Sequence, residues 1–236
     1  MFLHQEDIGI VILHPSDIIC IPTYIIFIRR DNLLLNTQRN MILPCNESGI
    51  KAAHDAIKKG GVVVFPTDTV YGVGCDPYNQ DAINKIYNIK GRDKTKQLPV
   101  LAYSKKEIKD IAYFDENSEK ISDKFWPGSL TLILKVKDKK IEESLGLQGK
   151  IAVRVPNHPC VLALLKECKL LVGTSANFSG QSSFNDSSEI ASKFSGYDIL
   201  LDGGKIVNSG ESTIVQFEGN ELKIVREGKI KSESLV

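Results

Sequence analysis

From Met41 onward the apolar positions switch repeatedly between a helical period and short continuous runs. Ile50, Ala53 and Ile57 recur three and four apart across Ser48 to Lys59, which predicts a helix stopped by Gly60-Gly61. Val62-Val63-Val64-Phe65 then reads as a buried strand ended by Pro66. Asp81 to Ile89 is a short helix stopped by Gly91, and Leu98 to Tyr103 is a strand. Ser104 with Glu107 three residues later forms a capping box, in which each side chain satisfies an orphan N–H of the first turn. Asn117 to Trp126 is helical and ends at Pro127-Gly128.

Leu130 to Val136 and Ile151 to Val155 follow as strands, and Pro159 suits the first turn of a helix reaching about Cys168. Leu170-Leu171-Val172 is a buried strand, Asp186 with Glu189 opens another helix, and Tyr197 to Leu201, Thr213 to Phe217 and Leu222 to Val225 are the last strand candidates. No internal repeat or low-complexity linker interrupts them. The pattern predicts one α/β domain with a mixed sheet flanked by helices.

The first forty residues behave differently. Ile8 to Ile28 is an apolar stretch of membrane-spanning length, followed by Arg29 and Arg30. His14-Pro15-Ser16-Asp17 and Pro22-Thr23 interrupt it, which argues against a stable span. The charges follow the apolar run, whereas a signal peptide has them first. Residues 1–40 therefore read as an N-terminal extension, either an appended strand pair or lipid-facing anchor or, the favoured reading, translated upstream sequence. The working domain is expected at 41–230, with 231–236 as a tail.

Composition adds exclusions. At 236 residues the chain can bury a substantial core, and its formal charge of +1 gives no general attraction to nucleic acid or anionic membrane. The five cysteines (Cys20, Cys45, Cys75, Cys160, Cys168) are scattered, odd in number and form no C-x-x-C pair. The four histidines form no metal-binding cluster. This reads as a reduced, cytoplasmic protein with no structural metal and no disulfide framework.

Candidate chemistry lies in polar stretches at strand ends, where open α/β sheets place ligands. Pro66 to Gly74 reads as a polar turn in which Gly72 and Gly74 permit tight backbone. Its hydroxyls and Asp68 can orient a small polar ligand. It lacks the third glycine of a dinucleotide fingerprint, and no P-loop occurs in the chain. Lys90-Gly91-Arg92-Asp93-Lys94-Thr95-Lys96 places four cations in seven residues, just before a strand. As a solvated run it would be unremarkable; feeding a buried strand, it is placed to clamp phosphates. Arg154 alternates with apolar neighbours in a buried strand, so it must be paired or meet an anionic ligand. Gly173 to Gly180 offers hydroxyls and an amide that suit a carboxylate, phosphate or ribose. A serine nucleophile would need a base, for which only His158 is near in sequence, and no G-x-S-x-G elbow exists.

Taken together, the strings FPTDTVYGVG, KGRDKTKQLPVL, WPGSLTLIL, IAVRVPNHP, TSANFSG, LDGG, STIV and VREG resemble the YrdC-like domain family, in the family's order and over about Pro44 to Ile230. Enzymatic members of that family make threonylcarbamoyl-adenylate. The resemblance implies a twisted mixed sheet with a concave, positively lined pocket. It also implies L-threonine, bicarbonate and ATP with Mg²⁺ as reactants. The product would go to a separate threonylcarbamoyl-transfer complex that modifies an adenosine beside the tRNA anticodon. Carried over by motif, Thr69, Arg154, Thr174 and Ser212 would hold threonine. Lys90, Arg92, Lys96, Ser175, Asn177 and Arg226 would hold the nucleotide. Some members have a His after the basic run; here that stretch is Leu98-Pro99-Val100-Leu101, so that contact has no counterpart. The longer architecture with a further C-terminal domain is not expected, because the chain stops soon after Arg226. Two alternatives compete with this reading: an RNA-binding module on the same basic surface without ATP turnover, and the carbamoyl-transferring relative within hydrogenase maturation proteins. Neutral charge and absent stacking motifs oppose the first, and missing zinc motifs oppose the second.

Overall fold

The described structure begins with β1 (Met41–Pro44), which leads into α1 (Glu47–Lys58). In this computed structural model residues 40–207 and 210–235 are described, and the chain divides into two units, Met1–Arg39 and Asn40–Val236. The readings made for residues 1–39 lie outside the described residues. Helix α1 starts one residue before Ser48 because Asn46 caps it, accepting the Gly49 amide at 3.0 Å. Ile50, Ala53 and Ile57 form its buried face, as their spacing predicts.

β2 (Val63–Pro66) is wholly buried and turns through residues 67–70 into the antiparallel β3 (Tyr71–Gly74), with Phe65 opposite Gly72. The expected long polar turn is therefore half strand. Its buried apolar residues, Tyr71 and Val73, are separated by glycines that hide the alternation. A Cβ at Gly74 would lie 2.0 Å from the Val172 carbonyl oxygen, so glycine there permits a close approach of two backbones.

α2 (Gln80–Lys90) ends where Gly91 turns left-handed, at φ 57°. β4 (Val100–Ala102), α3 (Lys105–Ile111), β5 (Ala112–Tyr113), α4 (Glu116–Phe125) and β6 (Leu130–Val136) follow. Ser104 opens α3 as expected: its hydroxyl accepts the Lys106 amide and donates to the Glu107 carboxylate at 2.5 Å. The remaining elements are α5 (Lys139–Leu145), β7 (Lys150–Arg154), α6 (Pro159–Cys168), β8 (Leu170–Val172), β9 (Thr174–Ser175), α7 (Ser187–Lys193), β10 (Ile199–Asp202), β11 (Thr213–Glu218) and β12 (Glu221–Arg226). Residues 231–235 do not trail from the domain: Ser232–Ser234 forms a 3-10 turn and Leu235 is buried.

The single mixed sheet expected from the pattern divides in two. One has the order β1-β10-β2-β3-β9, the other β12-β11-β6-β7-β4-β8 with β5 added beside β6. Both contain parallel and antiparallel pairs. Helices α1 and α6 cover one face of the first sheet, packing Ile57, Val161, Leu164 and Leu165 onto Val63, Phe65 and Leu201. Strand alternation in the second sheet separates two faces. Leu132, Leu134, Ile151 and Val153 point into the main core, while Thr131, Ile133, Ala152 and Arg154 lie on the opposite face. No helix among the described residues is long and apolar enough to cross a membrane.

The cysteine reading needs correction. Cys45 and Cys160, 115 residues apart, form a disulfide, while Cys75 and Cys168 are free thiols. Spacing along the chain hid this pair because the β1–α1 connection and the first turn of α6 meet only through the packing of α1 and α6 on the first sheet. The reduced state can no longer support a cytoplasmic location.

Candidate functional site

Seven stretches far apart in sequence converge on one cavity of about 560 Å³, and all ten candidate residues line it. The turn between β2 and β3 builds its most buried wall. Thr67 Oγ1 donates to the Val70 carbonyl at 2.6 Å and accepts the amides of Thr69 and Val70. Its single proton being engaged, the 2.9 Å contact between the two threonine hydroxyls must be donated by Thr69. Thr69 Oγ1 is then left as an acceptor, and Arg154 Nη1 donates to it at 3.0 Å.

Arg154 reaches this wall from the end of β7 and is only 6% exposed. Its Nε donates to the Gly128 carbonyl at 2.8 Å and its Nη2 to Asp68 Oδ1 at 2.6 Å. The partner demanded by its buried strand position is therefore first of all Asp68. Of its five N–H groups, three are engaged in these bonds, which leaves one on each terminal nitrogen. Burial lowers the Arg154 pKa from its usual value and the adjacent Asp68 opposes that shift. The guanidinium remains charged in any case.

The floor comes from the second sheet. Thr131 Oγ1 on β6 donates to Ser212 Oγ at 2.9 Å, and Arg226 Nη2 donates to the same hydroxyl at 3.1 Å. Arg226 also grips the Ser212 carbonyl through Nη2 at 2.8 Å, and its Nη1 pairs with Glu211 at 2.6 Å. Ile133, Ala152, Ile214 and Val225 supply apolar surface beside these polar groups.

The opposite wall is the loop after β8. Short pairing of β9 with β3, Thr174 opposite Val73, fixes its start. Lys90 then braces it from the end of α2. Its ammonium donates to the Ser175 carbonyl, to the Asn177 carbonyl at 2.8 Å and to Asn177 Oδ1 at 2.9 Å. Ser175 Oγ donates to the same Oδ1 at 2.6 Å, and Asn177 Nδ2 donates to the Gln181 carbonyl at 2.6 Å. All three Lys90 protons are thus engaged within the protein. Burial, reinforced by Arg92, lowers the Lys90 pKa to about 8, with Glu211 opposing.

Arg92 curls the basic run around itself, donating to the carbonyls of Lys96 and Gln97 at 3.0 and 3.1 Å. Its pKa is lowered, mainly by burial. Lys96 is exposed at the rim. The lining is strongly cationic: Lys90, Arg92, Lys96, Arg154 and Arg226 against a single carboxylate, Glu211. Such a cavity suits anionic ligands, with cations on its walls and floor and apolar surface beside them.

Sequence reasoning missed Thr131 and Glu211 as lining residues. The alternation that singled out Arg154 applies equally to Thr131 between Leu130 and Leu132. Glu211 directly precedes Ser212 and carried no pattern of its own. His158 is not among the lining residues; its Nδ1 caps α6, accepting the Cys160 amide at 3.2 Å. Among the described residues no group of three or more His, Cys, Asp or Glu could hold a metal ion.

Residues 55–228 match the Sua5_yciO_yrdC family, described as Telomere recombination. A Methanocaldococcus jannaschii protein named "Putative threonylcarbamoyl-AMP synthase" is 35% identical over 201 residues, covering 82% of this chain and 94% of its own. The Bacillus subtilis threonylcarbamoyl-AMP synthase is 34% identical over 198 residues; the match covers 82% of this chain and 57% of that longer protein. Among solved structures, Pyrococcus abyssi Sua5 complexed with L-threonine superimposes with a TM-score of 0.77 at 30% identity, covering 83% of this chain and 58% of the other.

Proposed function

The chain belongs to the Sua5/YciO/YrdC family, and from that premise we propose that it is a threonylcarbamoyl-AMP synthase. It joins L-threonine, bicarbonate and ATP into threonylcarbamoyl-adenylate, releasing pyrophosphate and water. The observation that carries this reading is the convergence of ten separated residues on one cationic cavity of about 560 Å³. The similarity to a Sua5 structure holding L-threonine supports the amino-acid half of the assignment.

Two anions must meet in this reaction. The threonine amine takes up bicarbonate with loss of water, giving a carbamate. A carbamate oxygen then bonds to the α-phosphorus of ATP as the bond from that phosphorus to the bridging oxygen breaks, and pyrophosphate leaves. Thr69, Arg154, Thr174 and Ser212 hold threonine, with Arg154 offering its two remaining N–H groups to a carboxylate. Arg92, Lys96 and Arg226 hold the phosphates. Ser175, Asn177 and Lys90 form the loop on the nucleotide side, Lys90 by bracing it. ATP enters as its magnesium complex. Catalysis is then chiefly positioning and electrostatic stabilisation, since an anionic carboxylate nucleophile requires no base. The enzyme is a nucleotidyltransferase, and a separate complex passes its product to tRNA.

Pyrophosphate release from ATP and bicarbonate tests this directly, comparing L-threonine, L-serine and no amino acid. Strong stimulation by threonine is expected. Equal rates in all three would overturn the assignment.

A further inference from the structure

The carboxylate of Asp68 stands behind the cavity and does not line it. Its Oδ1 accepts two donors that come from opposite ends of the β7–α6 connection: Arg154 Nη2 at 2.6 Å and the Asn157 amide at 2.9 Å. The ion pair is well shielded, with side-chain exposures of 7% for Arg154 and 16% for Asp68. The turn that carries Asp68 is itself clasped from the C-terminal side. Lys229 Nζ donates to the Asp68 carbonyl at 2.7 Å, and the Gly210 amide donates to the Thr69 carbonyl at 3.1 Å. The Lys229 amide in turn donates to the Glu211 carbonyl at 2.9 Å, so the clasp also joins the segment bearing Ser212.

We propose that Asp68 is the positioning residue of the threonine wall: it touches no substrate, and it fixes the plane in which the Arg154 guanidinium faces a bound carboxylate. A guanidinium recognises a carboxylate through a planar fork, so rotation about its last bonds converts two aligned N–H donors into one. Three anchors remove that rotation here. Gly128 holds Nε, Thr69 holds Nη1 and Asp68 holds Nη2. The first two are neutral acceptors, whereas the Asp68 bond joins two charges and is the strongest of the three. Because one Oδ1 also holds the Asn157 amide, the same oxygen sets the backbone leading out of β7. Asp68 thus ties the turn of residues 67–70, the guanidinium and the following loop to one point.

The inference rests on Arg154 holding the threonine carboxylate. L-threonine binding by calorimetry tests it on the full-length chain, with magnesium-ATP binding in the absence of bicarbonate measured in parallel. Asp68→Ala should weaken threonine binding roughly 10- to 100-fold, the loss expected when one of two charge-assisted hydrogen bonds to the carboxylate is given up, and leave ATP binding unchanged. Asp68→Asn keeps an acceptor for the Asn157 amide and should show the same split, a few-fold in size. It is also the variant to read if the alanine form does not fold. Either folded variant binding threonine as the wild type does would overturn the proposal, as would equal loss of threonine and ATP. Nitrogen-15 spectra of the arginine side chains give a reading independent of ligand. Restricted Arg154 Nη signals should be present in the wild type and averaged in the alanine variant. Unchanged signals would overturn the positioning role. A wild type that binds no threonine would instead sink the assignment of function, and the spectra would still decide the role of Asp68.

Discussion

The cavity has two walls that carry similar charge under opposite physical conditions. On the Asp68 side, Arg154 is buried, three of its N–H groups are bonded, and its counter-ion is shielded with it. Elsewhere in the lining Lys96 is exposed at the rim, and on the floor Arg226 pairs with Glu211 where both side chains are well open to water, at 39% and 45%. Desolvation makes the first arrangement costly to break, about 3–5 kcal/mol when one partner is removed. Solvent screening leaves the second worth about 0–1 kcal/mol. On the proposed function the buried wall is the rigid, selective one, and the open Arg226–Glu211 pair would exchange Glu211 for a phosphate at little cost. A small amino acid needs the first kind of site, and a polyphosphate that must leave needs the second.

The largest expected break in this contrast comes from Arg154→Ala. It should abolish threonine-dependent pyrophosphate release and destabilise the fold by about 3–5 kcal/mol, because Asp68 is left shielded without its cation. Denaturant unfolding measures the second effect, and a midpoint equal to wild type would refute the claim that the wall is held by this pair. Reduction of Cys45–Cys160 asks whether packing or the cross-link keeps the buried wall in place. Loss of the bridge should lower stability by about 2–4 kcal/mol through the loop it closes, with threonine affinity unchanged because the Asp68 contacts with Arg154 and Asn157 remain. Weakened threonine binding on reduction would show that the cross-link, not the packing, sets the geometry.

Lys90 sharpens the contrast through pH. Its pKa is lowered to about 8 by burial, whereas the unfolded chain keeps the proton to about 10.4. Between those values the unfolded state binds more protons, so this group's contribution to stability rises with pH. Activity should move the other way, falling through about pH 8 as the ammonium loses one of the three donors that brace residues 175–177. A rate that stays flat from about pH 7 to about pH 9 would remove Lys90 from the nucleotide wall. Lys96→Ala is the smallest change. ATP KM should rise about 2- to 5-fold at low salt, with the difference vanishing near ~0.5 M salt and stability altered by less than ~0.5 kcal/mol. A salt-independent effect would mean that Lys96 is held as tightly as Arg154.

Much of this arrangement was legible in the residues. Ile50, Ala53 and Ile57 marked the buried face of α1, and Ser104 with Glu107 marked the start of α3. Arg154 announced itself as a cation among apolar neighbours. Other features carried no local signal. Tyr71 to Gly74 looked like turn because glycine has no side chain to show alternation, and β1 and β5 are too short to show a period. Lys90, expected on a phosphate, turned out to have its three protons donated to the neighbouring loop, a fact that depends on where α2 ends relative to residues 175–177.

By itself the sequence determined the kinds of group available: a run of cations, a buried-strand arginine, hydroxyl-bearing stretches at strand ends, and motifs in the order of one family. Local chemistry is written locally, so period, caps and charge could be read without a fold. Only the tertiary structure decided which groups face each other. It split the strands into two sheets, brought Cys45 to Cys160, and set Asp68 against Arg154 across 86 positions of chain. The physical reason is that partner choice follows from packing and desolvation between elements far apart in sequence, and no short window of residues contains both partners.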